Sequence, residues 1–141
     1  ISMSKFFNVH AVEILEKKQC KREGLKYPIN WIEGDGTQEL ERYVRNNPNE
    51  RLFILLDDHT QEYGCWIMQQ LEVLKLHSNV NNHVIFVDDT DHFGLGQYPT
   101  HEQFHNKVKS INENYIIEDS GIQNISPHSH VYVCYTEKET K

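Results

Sequence analysis

The sequence predicts an α/β fold, a three-layer sandwich in which a mostly parallel sheet lies between two layers of helices. Segments typical of strands alternate with segments typical of helices along the 141 residues, an order that favours parallel strands joined by crossover helices. Two strand-like runs, at residues 51–56 and 83–87, are apolar at every interior position. Such runs are typical of central strands that are covered on both faces. A chain of this length forms one domain.

The first part of the chain contains two strand-to-helix units. A β-branched run at residues 8–14 and an apolar run at Ile29–Glu33 are predicted as the first two strands. Asp35, followed three residues later by Gln38, resembles a capping box at the start of a helix. That helix must end at Pro48, because proline lacks the N–H that a helix interior needs.

The remainder of the chain contains two further helices and a closing hairpin. The apolar residues that follow the strand at 51–56 have helical spacing: Ile67, Leu71 and Leu74. Thr100 and Gln103 form a second capping-box pattern, so another helix begins there. Two last strands, at residues 115–117 and 131–135, are joined by a polar loop whose length suits an antiparallel hairpin.

The charge and the cysteines exclude several classes of protein. Lys and Arg number 14 against 21 Asp and Glu, so the formal charge is −7 and the basic surface of a nucleic-acid binder is missing. No apolar stretch approaches the length that crosses a bilayer. Cys20, Cys65 and Cys134 contain no CxxC pair, which argues against a disulfide framework and a zinc ribbon. We therefore expect a cytoplasmic protein with neither a nucleic acid nor a membrane as partner.

Acidic residues follow four of the predicted strands: Glu13, Asp35, Asp57, and Asp88 with Asp89. Ligands of open parallel sheets bind at the carboxyl ends of the strands, and neighbouring strands lie only about 5 Å apart. Carboxylates held that closely need a cation or raised pKa values, and oxygen ligands favour Mg²⁺, Ca²⁺ or Mn²⁺. His59 and His92 adjoin these acids as candidate bases or ligands. The competing interpretation is that the acids only cap the loops after the strands.

Six motifs, taken in order, resemble the latter part of a class I S-adenosylmethionine-dependent methyltransferase: VHAVEI, IEGDG, FILLDDH, VIFVDDTDHFG, NYIIED and HVYVCY. Within that superfamily they are most similar to the metal-dependent O-methyltransferases that act on sugars and catechols. The resemblance extends from about Asn8 to Tyr135. It implies a Rossmann-like fold with an antiparallel strand near the C-terminus.

The resemblance also implies a role for each acidic residue. Glu13 would hold the ribose hydroxyls of S-adenosylmethionine, and Asp35 with Gly36 would lie beside its adenine. The implied ligands of Mg²⁺ or Mn²⁺ are Asp57, Asp88 and Asp89. Asp57 would also border the cofactor. His59, two residues beyond Asp57, would be the general base that takes the proton of the acceptor hydroxyl.

The sequence departs from the family at its first strand and glycine-rich turn, which should precede Asn8 and have no counterpart here. The chain also begins at Ile1 and not at methionine. We therefore expect a fragment or a truncated form. It should bind S-adenosylmethionine poorly, because no other segment replaces the close backbone approach that glycine allows. Further domains of a longer polypeptide, or a second copy of the chain, are expected partners besides the substrate.

The expected function is metal-assisted O-methylation of a hydroxylated small molecule, such as a sugar, by S-adenosylmethionine. Two alternatives are left open. A noncatalytic binding or assembly module of the same fold would use the acids only as caps and surface charges. A metal-dependent hydrolase would use the same acidic and histidine residues to activate water, although the sequence contains no HExxH motif.

Overall fold

The computed structural model describes residues 9–13, 29–57, 59–60, 64–119 and 130–137 of the chain. Three α-helices lie within these ranges: α1 (Gly36–Asn46), α2 (Ile67–His77) and α3 (His101–Ile111). The strands are β1 (Val9–Glu13), β2 (Ile29–Glu33), β3 (Phe53–Leu56), β4 (His59–Thr60), β5 (Gly64–Cys65), β6 (Val84–Val87), β7 (Ile116–Asp119) and β8 (Tyr132–Tyr135). A short 3₁₀ helix spans Thr90–His92.

The largest sheet is open and mixed, with four strands in the order β3-β6-β8-β7. β3 and β6 are parallel, and β8 pairs antiparallel with both β6 and β7. The predicted pairing of the two continuous apolar strands and the predicted closing hairpin are thus confirmed. The parallel pair β1–β2 and the short antiparallel pair β4–β5 form two separate sheets in the described part of the chain.

Side-chain caps begin two of the helices where the sequence predicts them. At α1, the N–H of Gln38 donates to Asp35 Oδ1 at 2.8 Å. At α3, the N–H of Gln103 donates to Thr100 Oγ1 at 3.1 Å, and the N–H of Thr100 donates back to Gln103 Oε1 at 2.8 Å. These bonds satisfy amide groups that the first turn of a helix leaves without partners. As predicted, α1 ends before Pro48.

One hydrophobic core joins the three helices to one face of the four-stranded sheet. The sheet contributes Leu56, Ile85, Val87 and Cys134. The helices contribute Val44, Ile67, Leu71, Leu74, Phe104 and Val108. Phe93, which follows β6, and Tyr115, which precedes β7, complete the core. Among the described residues, no helix has both the length and the apolar character that a membrane crossing requires.

The prediction that β3 is covered on both faces is wrong. Ile54 and Leu56 pack in the core, but Phe53 and Leu55, on the opposite face, are 53% and 64% exposed. The reason is that α1, α2 and α3 all contribute to the core on the same face. The described residues therefore form two layers, and the third layer that the sequence predicts is not among them.

A buried histidine joins the amino ends of β3 and β6. The N–H of Leu52 donates to Nδ1 of His83 at 3.1 Å, and Nε2 of His83 lies 3.0 Å from Ser78 Oγ. The Tyr115 hydroxyl donates to the carbonyl of His83 at 3.0 Å. Because Nδ1 accepts a hydrogen bond, the ring is neutral and carries its proton on Nε2. Burial, aided by the positive charge of Arg51, lowers the pKa of His83 to about 4.

We predict that this histidine makes the fold sensitive to mild acid. His83 takes up a proton near pH 6.5 in the unfolded chain but only near pH 4 in the folded chain. Because the unfolded chain binds the proton first, the contribution of His83 to stability is complete above about pH 6.5. It is lost as the pH falls towards 4, by about 3 kcal/mol in all. Urea unfolding at a series of pH values checks this expectation.

His83→Gln is the matched variant, because glutamine has no titratable ring. Its stability near neutral pH should be lower than that of the native chain. The difference between the two free energies of unfolding should then shrink by about 3 kcal/mol as the pH falls from neutral to about 4. A constant difference would mean that another group causes the acid sensitivity.

Candidate functional site

Two acidic residues leave the sheet side by side at the carboxyl ends of β3 and β6. Leu56 and Val87 are the last paired residues of these strands, and the N–H of Asp88 donates to the carbonyl of Leu56 at 3.2 Å. Asp57 and Asp88 therefore occupy neighbouring positions at the edge where ligands of parallel sheets bind. Asp57 is exposed, and Asp88 is partly buried.

The chain turns sharply after β6, and Asp89 has the left-handed backbone conformation with a φ of 54°. Asp88 Oδ1 accepts the N–H of Asp89 at 2.9 Å, so one oxygen of Asp88 belongs to the turn. The carbonyl of Asp89 accepts the N–H of His92 at 3.0 Å, and the N–H of Thr90 donates to the carbonyl of His130 at 3.1 Å. These bonds tie the end of β6 to the segment that leads into β8.

The turn brings together donor atoms of Asp89, Asp91 and His92, all within 4.8 Å of one another. Asp91 Oδ1 is inaccessible to solvent and accepts no hydrogen bond from the described residues. His92 Nε2 lies 4.0 Å from Asp91 Oδ2, and the His92 and Tyr98 ring centroids are 5.4 Å apart. Two carboxylates, one of which has an unsatisfied buried oxygen, and an imidazole form a donor set that fits a divalent cation.

Tyr98 shares its surroundings with the acids of both strand ends. Burial, together with the negative charges of Asp89, Cys65, Asp57 and Asp91, raises the pKa of its hydroxyl to about 12. The acids that follow β3 and those that follow β6 therefore both act on a residue of the loop that precedes α3.

The short hairpin β4–β5 lies against the same loop. Gly64 is buried with a φ of 100°, and a Cβ atom at this position would overlap Oε1 of Gln97. Glycine therefore suits the backbone conformation, and the Gln97 side chain of the loop lies against it. His59 pairs with Cys65 in this hairpin, so its backbone lies beside one of the residues around Tyr98. The side chain of His59 lies outside the described part of the chain.

The two acids assigned to the cofactor lie at the ends of the other parallel pair. Glu13 ends β1 and is paired with Glu33 at the end of β2, and Asp35 follows two residues later. Asp35 caps α1, whose first residue is Gly36, so one of its oxygens already accepts a hydrogen bond. The side chain of Glu13 lies outside the described residues.

The sequence analysis did not identify Asp91 as a candidate ligand. The signal that could have found it is the run VDDTDH, in which three acids and a histidine follow one another within five residues. The grouping of Asp89 with Asp91 and His92 depends on the left-handed conformation of Asp89. Few residues except glycine adopt this conformation, and a lone aspartate gives no clear sign that it does.

Comparison with protein-family models and with curated proteins found no match to this chain. Fold and site together define an α/β protein with an open mixed sheet and an Asp-Asp-His cluster at the carboxyl end of its parallel strand pair.

We predict that the left-handed backbone conformation of Asp89 costs stability, and that two substitutions at this position measure the cost. Asp89→Gly and Asp89→Ala both remove the carboxylate, but only glycine adopts the left-handed conformation without a steric cost. The free energy of unfolding should therefore be about 1 kcal/mol higher for the glycine variant than for the alanine variant. Urea unfolding measures the difference. Equal stabilities would show that residue 89 does not keep this conformation in solution.

Proposed function

We propose that this chain is part of a metal-assisted O-methyltransferase, which transfers the methyl group of S-adenosylmethionine to a hydroxylated small molecule such as a sugar. The observation that carries the proposal is the placement of acids at the carboxyl ends of two parallel strand pairs. Glu13 and Asp35 follow β1 and β2, and Asp57 and Asp88 follow β3 and β6. One pair would serve the nucleoside and the other the acceptor.

The strand pairing supports a Rossmann-like sheet. In a doubly wound sheet whose order begins 3-2-1-4-5, the first strand lies between the second and the fourth. In this numbering of the doubly wound sheet, β1 and β2 of our structure would be the second and third strands, and β3 and β6 would be the fourth and fifth. When the first strand, which pairs with both the second and the fourth, is missing, such a sheet is divided into two separate parallel pairs. The described residues contain these two pairs and no ladder between them.

The chemistry would be divided between the two pairs. S-adenosylmethionine supplies a methyl group on a positively charged sulfur, and a divalent cation lowers the pKa of the hydroxyl that accepts it. Carboxylates accept hydrogen bonds from hydroxyl and amine groups, so Glu13 and Asp35 would orient the nucleoside. His59 would take the proton of the acceptor hydroxyl while the O–C bond forms and the C–S bond breaks.

The loop that precedes α3 would form one wall of the acceptor site. Phe93 and Pro99, at its two ends, are buried, and the N–H of Gly94 donates to the carbonyl of Pro99 at 2.9 Å. The ring centroid of Tyr98 lies 5.4 Å from that of His92, which follows the acids at the end of β6, and Leu95 is exposed. A loop with fixed ends and an aromatic residue beside the acids is suited to positioning a small molecule.

A noncatalytic module of the same fold is the second candidate. It is favoured by the hydrogen bonds that Asp35 and Asp88 already make within the protein, because capping residues need no ligand. Such a module would bind no S-adenosylmethionine. A metal-dependent hydrolase would bind a cation but, like the noncatalytic module, would not bind S-adenosylmethionine.

Binding of S-adenosylmethionine to the chain is therefore the experiment that tests the proposal. We predict weak binding, observed as shifts of amide NMR signals near the ends of β1 and β2. Glu13→Gln should abolish these shifts, because the ribose hydroxyls lose a charged acceptor. Glu118→Gln, on the edge strand β7, is the matched control and should leave them unchanged. Lack of binding by the native chain, or equal binding by Glu13→Gln, would contradict the proposal.

His59 provides a test of the chemical step. In a longer polypeptide that contains this chain and methylates a catechol or sugar acceptor with labelled S-adenosylmethionine, His59→Ala should lower the rate of methyl transfer by roughly 100-fold or more, which is the usual effect of removing a general base. His105→Ala, which removes an exposed histidine on α3, should keep the native rate. Equal rates for both variants would remove His59 from the mechanism.

A further inference from the structure

The side chains of Asp89, Asp91 and His92, which we call the turn cluster, are already close to the geometry of a metal site. Their donor atoms lie within 4.8 Å of one another. Oxygen and nitrogen ligands bind a transition-metal dication at about 2.1 Å, so two ligands of a tetrahedral ion are about 3.4 Å apart. The widest pair of donor atoms in the turn cluster therefore needs to close by at most about 1.4 Å, which side-chain rotation can supply, to hold an ion.

Asp91 provides the second observation that points to a ligand. Its side chain is only 20% exposed, and its Oδ1 has neither accessible surface nor a donor among the described residues. Thr90, beside it, is 1% exposed, and its Oγ1 also lacks a hydrogen-bond partner among them. A buried carboxylate oxygen without a donor is costly unless positive charge compensates it. A cation at the turn cluster supplies that charge.

The backbone holds the turn cluster in place. The N–H of His92 donates to the carbonyl of Asp89 at 3.0 Å, and that of Phe93 donates to the carbonyl of Thr90 at 3.3 Å. Thr90 and Phe93 are buried, so the residues that carry the ligands are anchored in the core. A site whose ligands are fixed before binding loses less conformational entropy when the ion arrives.

We infer that the turn cluster binds a divalent cation of the first transition row, such as Zn²⁺, through one oxygen each of Asp89 and Asp91 and one nitrogen of His92. Mg²⁺ and Ca²⁺ take oxygen ligands, whereas imidazole suits zinc and its neighbours. Three protein ligands leave the fourth position of a tetrahedral zinc site open to water or substrate. The ion would therefore be able to contact a bound hydroxyl.

This ligand set deepens the metal site of the proposed function and differs from the one that the family resemblance implies. Asp89 is common to both sets, while Asp91 and His92 take the places of Asp57 and Asp88. Metal binding by the turn cluster does not depend on methyl transfer. A chain that binds zinc but not S-adenosylmethionine would thus overturn the proposed function and leave this inference standing.

Titration of the full chain with Zn²⁺ and with Mg²⁺ tests the inference, with a chromophoric chelator as competitor for zinc. His92→Ala should weaken zinc binding by at least about tenfold, since even residues that only support metal ligands have effects of this size. The same variant should change Mg²⁺ binding by less than about twofold, because imidazole is not a ligand of that ion. Asp91→Asn should weaken binding of both ions, because a carboxylate is lost.

Two further variants separate this site from its alternatives. His105→Ala removes an exposed histidine outside the turn cluster and should leave zinc affinity unchanged, which controls for adventitious binding by the nine histidines of the chain. Asp57→Asn should change zinc affinity by less than about threefold, whereas the ligand set implied by the family requires a large loss. Native zinc affinity in His92→Ala, or a large loss in Asp57→Asn, would overturn the inference. Circular dichroism of each variant shows that it is folded.

Discussion

The parallel pairing of β3 with β6 is the constraint on which the rest of this structure depends. Ile54 and Leu56 of β3 pack in the core with Ile85 and Val87 of β6, and the register pairs Leu56 with Val87. A slip of one residue would turn an entire apolar set away from the core, so burial fixes the register strongly. The same register determines which acidic residues lie next to each other where the strands end. Core packing therefore positions the candidate site.

The amino and carboxyl ends of β3 and β6 differ in how well their polar groups are paired. At the amino ends, buried His83 satisfies the N–H of Leu52 and is itself held by Tyr115, so polar groups are paired and the ends are fixed. At the carboxyl ends, Asp89 has a left-handed backbone and Asp91 keeps an unsatisfied buried oxygen. Strain and unpaired polar groups of this kind persist only where the surrounding structure imposes them, and they gather at functional sites.

Much of the fold could be predicted from the sequence because the patterns that define its helices and strands involve residues close together in the chain. The caps at Asp35 and Thr100 depend on residues three apart, and the apolar runs at 51–56 and 83–87 define strands by themselves. The exposure of Phe53 and Leu55 could not be predicted, since it depends on where three separate helices pack. An apolar run shows that a strand is possible but not how many of its faces are covered.

Only the general location of the candidate site could be predicted from the sequence. The sequence indicates that acids collect where β3 and β6 end, because the ends of neighbouring parallel strands always meet. It does not show that one oxygen of Asp88 is used inside the turn, or that Asp91 and His92 come to lie beside Asp89. Those contacts follow from the backbone conformation of a single turn. Tyr98 joins the site from the loop that precedes α3, which is far along the chain from the end of β3.

The central claim is that this protein binds a cation where β3 and β6 end. The most direct measurement is the broadening of amide NMR signals in an isotope-labelled chain when a small amount of Mn²⁺ is added, since this paramagnetic ion broadens only signals of nearby nuclei. The structure predicts that the amides of Asp89, Asp91 and His92 broaden first, followed by those of Asp57 and Tyr98. Broadening centred on other acids, such as Glu39 and Glu41 of α1, would contradict the claim.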